Sequence, residues 1–187
     1  MISIFSNTVT FAKLNQDLDF LKKFCLKFKD ENTSRQMSNR GGYQSINIFY
    51  GIHPELNGLV EEINKHVEDY AINIMRLKEK PSVSNLWINV NKYKDYNKAH
   101  VHPNSIISGV YYVKVPKNSG SIVFENSSDP SKYLHPEDVI EFNEVNSSSW
   151  EIKPKEDELL LFPSWLKHEV MPHLNLKEDR ISIAFNT

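Results

Sequence analysis

The spacing of apolar residues changes near Pro81. Before it they recur every three to four positions; after it they alternate or come in short blocks. Leu18, Leu21, Phe24, Cys25 and Phe28 form one stripe and predict a helix from Asn15. Asn15 or Asp17 can cap its start, and the polar run Asp30 to Ser34 ends it. A second helix is predicted from about Pro54 to Leu77, with Pro54 in its first turn and Leu59, Ile63, Val67 and Tyr70 on one face. His66 shares that face and reads as a boundary residue. Ile2 to Phe11 reads as a strand or extended segment. Gly41-Gly42 marks a turn, and Tyr43 to Phe49 reads as a further strand.

Beyond Pro81 the pattern is that of β-structure. Leu86, Ile88 and Val90 alternate within a strand over Val83 to Val90. Asn91 to Asn97 is polar and turn-like. Ile106 to Val115 is the strongest strand, and Ser121 to Phe124 reads as its hairpin partner across the turn Pro116–Gly120. Further strands are predicted at Val139–Phe142, Trp150–Ile152, Glu158–Phe162, Glu169–Met171 and Ile181–Phe185. The loop Asn126 to Glu137, with Pro130 and Pro136, is long enough to serve as a lid or substrate loop. Many short strands with turns between them predict a sandwich or small barrel, mainly β, with the helices braced against its outside. The expected organisation is one domain over 1–187, with helical support and outer strands in 1–80 and the β core in 81–187.

Composition narrows the class. A chain of 187 residues with 40% hydrophobic content can bury a core without staples, and is neither disordered nor membrane-like. No apolar run nears the roughly 20 residues that span a bilayer. Met1 to Phe5 lacks the basic and apolar regions of a signal peptide, so a soluble, cytoplasmic protein is expected. The net charge of −2 gives no nucleic-acid signature. Cys25 is the one cysteine and reads as a buried structural thiol. A homodimer stays open.

The chemistry sits in the β half. In Ala99-His100-Val101-His102 the two histidines are at i and i+2, so on a strand both imidazoles face one side. His168 precedes another β-prone run and can supply a third imidazole. Non-haem Fe(II) oxygenases commonly use two histidines and a carboxylate with open positions, in the form His-x-Asp or His-x-Glu plus a distant histidine. Here His102 stands where the acid is expected. Three neutral imidazoles bind iron and also zinc, so the donor set alone does not name the metal. Arg180 lies twelve positions beyond His168, and a hairpin out from His168 and back would bring both to one cavity. Its guanidinium matches a carboxylate in two places, and Ser182, two residues on, shares its face. Arginine is scarce: Arg35, Arg40, Arg76 and Arg180 are all there is.

At these residues the sequence resembles the 2-oxoglutarate/Fe(II)-dependent oxygenase superfamily. Within it the chain is similar to a group of small oxygenases from bacteria and marine phages. The matching segments are Trp87–Val90, His100–Ser105, Ser108–Val113, Phe162–Pro172 and Arg180–Asn186. The resemblance implies a double-stranded β-helix (jelly-roll, cupin-like) fold and a dioxygenase that uses Fe(II), 2-oxoglutarate and O₂. It implies iron at His100, His102 and His168, and the distal carboxylate of 2-oxoglutarate on Arg180 and Ser182. Tyr112 or Tyr111 would donate a further hydrogen bond; the two point to opposite faces, so one of them serves. The departure at His102 leaves a true three-histidine site or a carboxylate from elsewhere, with Glu125 the best candidate. A pairing of His102 with Asn104 is disfavoured, because Asn is a poor iron ligand.

His173 reads as a surface residue, with a place beside the site as its alternative. Trp165 and Trp87 read as core. Two rival readings stand: a cupin-like three-histidine enzyme that does without 2-oxoglutarate, and a non-catalytic jelly-roll binding or structural module, such as a phage component. The substrate is open among protein side chains, nucleobases, sugars and small metabolites.

Overall fold

The computed structural model describes residues 4–187, so the first residues of the predicted Ile2 to Phe11 segment lie outside it. Among the described residues, eleven strands and two α-helices follow one another. They are β1 (Thr10–Lys13), α1 (Leu18–Glu31), β2 (Asn39–Arg40), β3 (Tyr43–Gln44), α2 (Asn57–Asp69), β4 (Asn85–Asn91) and β5 (Tyr96–His100). Then come β6 (Ile107–Lys114), β7 (Ile122–Glu125), β8 (Ser149–Ile152), β9 (Glu158–Pro163), β10 (His168–Val170) and β11 (Arg180–Asn186). The Asp17 carboxylate accepts from the Phe20 backbone N–H and caps α1, one of the two caps the sequence offered. The predicted second helix is built in three pieces: a 3₁₀ turn at Pro54–Leu56, α2, and a wider π turn at Tyr70–Ile74.

The strands form two antiparallel sheets that pack together as a double-stranded β-helix. One sheet has the order β1-β9-β6-β11-β4-β3, the other β2-β5-β10-β7-β8. In the larger sheet, strict alternation sorts the side chains into two worlds. Leu86, Ile88, Val90, Ile181, Ile183 and Phe185 pack against Leu21, Cys25, Leu59 and Ile63 of the helices. Their neighbours Asn85, Trp87, Asn89, Asn91, Arg180 and Ser182 turn the other way and line a cavity of about 780 Å³. Helix packing thus fixes which residues of β4 and β11 face the site. A one-residue slip would invert the whole set.

Several expectations are corrected. Ile107–Lys114 and Ile122–Glu125 are not a hairpin: β6 pairs with β9 and β11, and β7 with β10 and β8, in different sheets. The turn between them carries the chain across from one sheet to the other. The same holds for His168 and Arg180, which start β10 and β11 on opposite sheets. Apolar alternation says which face is buried but not which strand is the partner. Val139–Phe142 forms no strand; Ile140 and Phe142 are exposed, with no neighbouring strand to pair them. The loop Asn126 to Glu137 contributes no residue to the cavity lining.

Gly120 marks a crossing between the sheets. A Cβ there would strike the Met171 backbone and lie 2.9 Å from the Pro172 carbonyl oxygen. The Gly120 carbonyl also accepts from Arg180 Nη1 at 2.7 Å. Gly120→Ala is therefore expected to cost about 1–3 kcal/mol, the scale of overpacking that backbone must absorb. A thermal melt would show it as a lowered midpoint, and an unchanged midpoint would mean that the close approach to Met171 carries no constraint.

Candidate metal centre

His100 ends β5 and pairs directly with His168 at the start of β10, so the two imidazoles share a face. Their ring centroids are 4.4 Å apart. His102 lies just past the end of β5, held by a backbone bond from its N–H to the Ser164 carbonyl at 2.9 Å. One nitrogen from each of the three rings falls within 4.8 Å of the others. His102 Nε2 and His168 Nε2 are 3.4 Å apart.

The tautomers follow from the backbone. His100 Nδ1 donates to the Lys98 carbonyl at 2.7 Å, and His168 Nδ1 donates to the Leu166 carbonyl at 2.8 Å. A carbonyl can only accept, so each Nδ1 carries the proton and each Nε2 keeps its lone pair. That is the outer-sphere arrangement that orients metal-binding imidazoles. Ser38 Oγ lies 3.5 Å from His100 Nε2. Phe162 meets the His168 ring edge-on at 4.7 Å, and Trp87 lies 5.8 Å from His102, so apolar rings shield the cluster.

Burial holds all three imidazoles neutral. His100 is lowered from the ordinary value by desolvation, against the pull of the Lys98 carbonyl. Desolvation, then the His100 charge, brings His102 down to about 4. Desolvation, with His100 next, brings His168 down to about 3. Three neutral nitrogens with lone pairs turned toward one another fit a divalent cation, which needs deprotonated ligands. They form the donor set for iron or zinc.

The same depressed pKa values predict acid sensitivity in the metal-free protein. Below the ordinary histidine pKa the unfolded chain takes up protons that folded His102 and His168 refuse. Stability is therefore full above about pH 6.5 and falls as pH drops toward about 4. A tenfold difference in proton affinity between the folded and unfolded chain corresponds to about 1.4 kcal/mol. The melting midpoint of chelator-treated protein should decline through this window, beginning above the carboxylate range. A flat profile down to pH 4 would contradict burial as neutral groups.

Arg180 lines the same cavity from the opposite sheet. Its side chain is 3% exposed, with Nη2 donating to Asn91 Oδ1 at 3.0 Å and Nη1 to Gly120. Nε is buried without a partner. Among the described residues no carboxylate forms an ion pair with it. Desolvation lowers its pKa from the ordinary value, opposed by Tyr112 and Asp95; an arginine stays charged even so. Ser182 pairs across the ladders with Asn89 on one side and Tyr112 on the other. Tyr112 lines the cavity, and burial pushes its phenol up to about 12 although the Arg180 charge pulls it down.

Other candidates lie elsewhere. Tyr111 turns into the helix-side core, where its hydroxyl donates to Asp157 Oδ1 at 2.7 Å; it cannot reach the cavity. Glu125 follows Phe124, the residue paired with His168, and its carboxylate is bound to Lys167 at 2.8 Å, outside the histidine group. Alternation turns it away from the face that the histidines share. His173 is fully buried rather than on the surface, with Nε2 donating to the Glu178 carbonyl at 2.7 Å. Trp165 is exposed rather than core, its indole N–H bonded to Asn7. The carboxamides of Asn89 and Asn91 join the cavity wall without having stood out in the sequence. Their signal is the polar half of the alternation in β4.

Comparison with known proteins agrees with this geometry. The chain belongs to the family described as "Putative 2OG-Fe(II) oxygenase", whose sequence profile matches residues 85–186. Its fold is similar to that of a prolyl-4-hydroxylase from Pseudomonas putida, with 14% identity over 97% of this chain and 93% of that one and a TM-score of 0.67. A viral collagen prolyl hydroxylase of Paramecium bursaria Chlorella virus-1, in complex with 2OG, is similar at 14% identity, 95% and 94% coverage and a TM-score of 0.61. A 2OG-Fe(II) oxygenase family oxidoreductase from Burkholderia pseudomallei gives 9% identity, 95% and 82% coverage and a TM-score of 0.64. A search of curated protein sequences finds no significant match. No helix among the described residues is long and apolar enough to cross a membrane.

Proposed function

We propose that the protein is a 2-oxoglutarate- and Fe(II)-dependent dioxygenase that hydroxylates a C–H bond, and that its metal is held by His100, His102 and His168 without a carboxylate. The observation that carries this reading is Arg180: a buried guanidinium that forms no ion pair among the described residues, in the cavity where three imidazole nitrogens converge. A buried cation without a counter-ion is costly. A ligand carboxylate in that place removes the cost.

Fe(II), when bound, supplies activation of O₂ and the oxidative decarboxylation of 2-oxoglutarate to succinate and CO₂. The chain supplies the rest. Arg180 would hold the distal carboxylate of the co-substrate through charge-assisted bonds, with the Ser182 hydroxyl and the Tyr112 phenol as further donors. Tyr112 serves as a neutral donor, since burial keeps its proton on. Asn91 and Gly120 fix the guanidinium before the co-substrate arrives, so little ordering is left for the binding step. Phe162 and Trp87 pack against the His168 and His102 rings and give that side of the cluster an apolar wall. The viral relative, solved as a 2OG complex, supports the choice of co-substrate.

The all-imidazole donor set favours one alternative, a three-histidine centre that takes its substrate on the metal without 2-oxoglutarate. The test is Fe(II)-dependent succinate formation from 2-oxoglutarate, together with direct binding of 2-oxoglutarate to the metal-loaded protein. Succinate formation that disappears in His168→Ala supports the dioxygenase. Absence of both turnover and binding would leave the alternative. The narrower kinship with small bacterial and marine-phage oxygenases rests on sequence motifs alone; a cytoplasmic setting, in a host if the chain is phage-encoded, is a reading of the chain's composition. We read residues 1–187 as one domain, since the helices of the first half and the strands of the second share one core.

A further inference from the structure

The cavity is charged in one sense only. Acidic residues outnumber Lys and Arg by 24 to 22 in the chain, yet among the described residues no acidic side chain lines this cavity. Four cations do: Arg35, Arg40, Lys98 and Arg180. None of them is in an ion pair among the described residues. Arg180 is accounted for by the co-substrate. The other three stand on a different bank: Arg35 and Arg40 precede and form β2, and Lys98 is on its neighbour β5.

Arg35 is the best placed of the three. Its backbone N–H donates to the Gln44 carbonyl at 2.9 Å, which ties it to the β3 edge of the larger sheet. Its Nη2 donates to Asn47 Oδ1 at 2.6 Å, a neutral acceptor. Its Nε is shielded from solvent with no partner, the same condition as in Arg180. Desolvation lowers its pKa as well. Ser38, three residues on, reaches His100, so this segment runs from Arg35 to the edge of the histidine cluster.

We propose that Arg35 is a specificity-determining residue, and that the substrate carries an oxyanion, a carboxylate or a phosphate, which it binds. Arg40 and Lys98 add to the positive field on that side. Arg35 gives one Nη2 N–H to Asn47 and keeps further Nη N–H groups, which would hold the oxyanion of the substrate as those of Arg180 would hold the co-substrate. The proposal rests on the dioxygenase reading for the division of labour between the two arginines, but not for the charge of the substrate.

The test uses matched probes on the metal-loaded protein, anaerobically, with and without saturating 2-oxoglutarate. One pair is an N-acetylamino acid and its amide; the other is glycerol 3-phosphate and glycerol. In each pair the charged member differs chiefly in its oxyanion. A charge-assisted hydrogen bond gives a preference of about tenfold or more for the charged member. The pair that shows it tells carboxylate from phosphate. Arg35→Gln should reduce the preference to near unity, and Arg35→Lys should keep part of it. Equal binding of charged and uncharged members by the wild type would overturn the proposal, and so would a full preference in Arg35→Gln. Should Arg35→Gln fail to fold, the wild-type pairs and Arg35→Lys still decide. Loss of 2-oxoglutarate binding in the wild type would tell against the dioxygenase instead, with the probe pairs still readable on the metal-loaded protein alone.

Discussion

Arg180→Ala is expected to weaken 2-oxoglutarate binding by a factor of about 30 to several thousand, corresponding to about 2–5 kcal/mol for truncating one partner of a buried charged pair. Nη1 and Nη2 each give an N–H to Gly120 and Asn91, and each carries a second N–H that a ligand carboxylate can take. Alanine removes the charge and also frees two acceptors in the cavity wall. Arg180→Lys separates these effects. It keeps a positive charge but loses the planar fork, so it should recover only part of the affinity. Metal binding should survive in both variants, because the histidines stand on the opposite sheet. Calorimetry with the metal-loaded variants would read both quantities. Undiminished 2-oxoglutarate affinity in Arg180→Ala would exclude the arginine from co-substrate binding.

His168→Ala should abolish metal binding and turnover together. Changing residues that merely support a ligand costs 10–100-fold in metal affinity, so deleting a ligand should exceed about 100-fold. His168 is also 3% exposed and packed on Phe124 and Phe162, so a melting curve must accompany the measurement. His102 gives the sharper experiment. His102→Ala should lose the metal, whereas His102→Asp places a carboxylate where the wider superfamily has one and should retain it. If His102→Ala keeps full affinity, the third ligand comes from elsewhere. Glu125 is a poor replacement, since it is held by Lys167.

Much of this site is legible in the sequence because it depends on local periodicity. The i, i+2 spacing of Arg180 and Ser182 sets that pair on one face of β11 whatever the strand order, whereas His102 lies just past the end of β5 and joins His100 through the turn that follows, not through strand alternation. The alternation in β4 marks Leu86, Ile88 and Val90 as core. It marks Asn89 and Asn91 as their opposite, the half of the pattern that is easily passed over. Partner choice is not legible. The turns at Pro116–Gly120 and between His168 and Arg180 read as hairpins, while the chain uses both to change sheets. Arg180 therefore meets the histidines across the cavity, not along a ladder. Tyr111 and Tyr112 cannot be separated until their partners, Asp157 and the cavity wall, are known. Val139–Phe142 has the composition of a strand but no neighbour to pair with.

The central claim is that three imidazoles and one arginine form a single site for iron and 2-oxoglutarate. Anaerobic titration of the Fe(II)-loaded protein with 2-oxoglutarate tests it most directly, through the visible charge-transfer absorption that a 2-oxo acid gives on chelating Fe(II). A saturable band is expected, reaching its limit at one equivalent, absent in His168→Ala and shifted to much higher 2-oxoglutarate concentration in Arg180→Ala. An iron-loaded wild type that shows no band and no binding would contradict the claim.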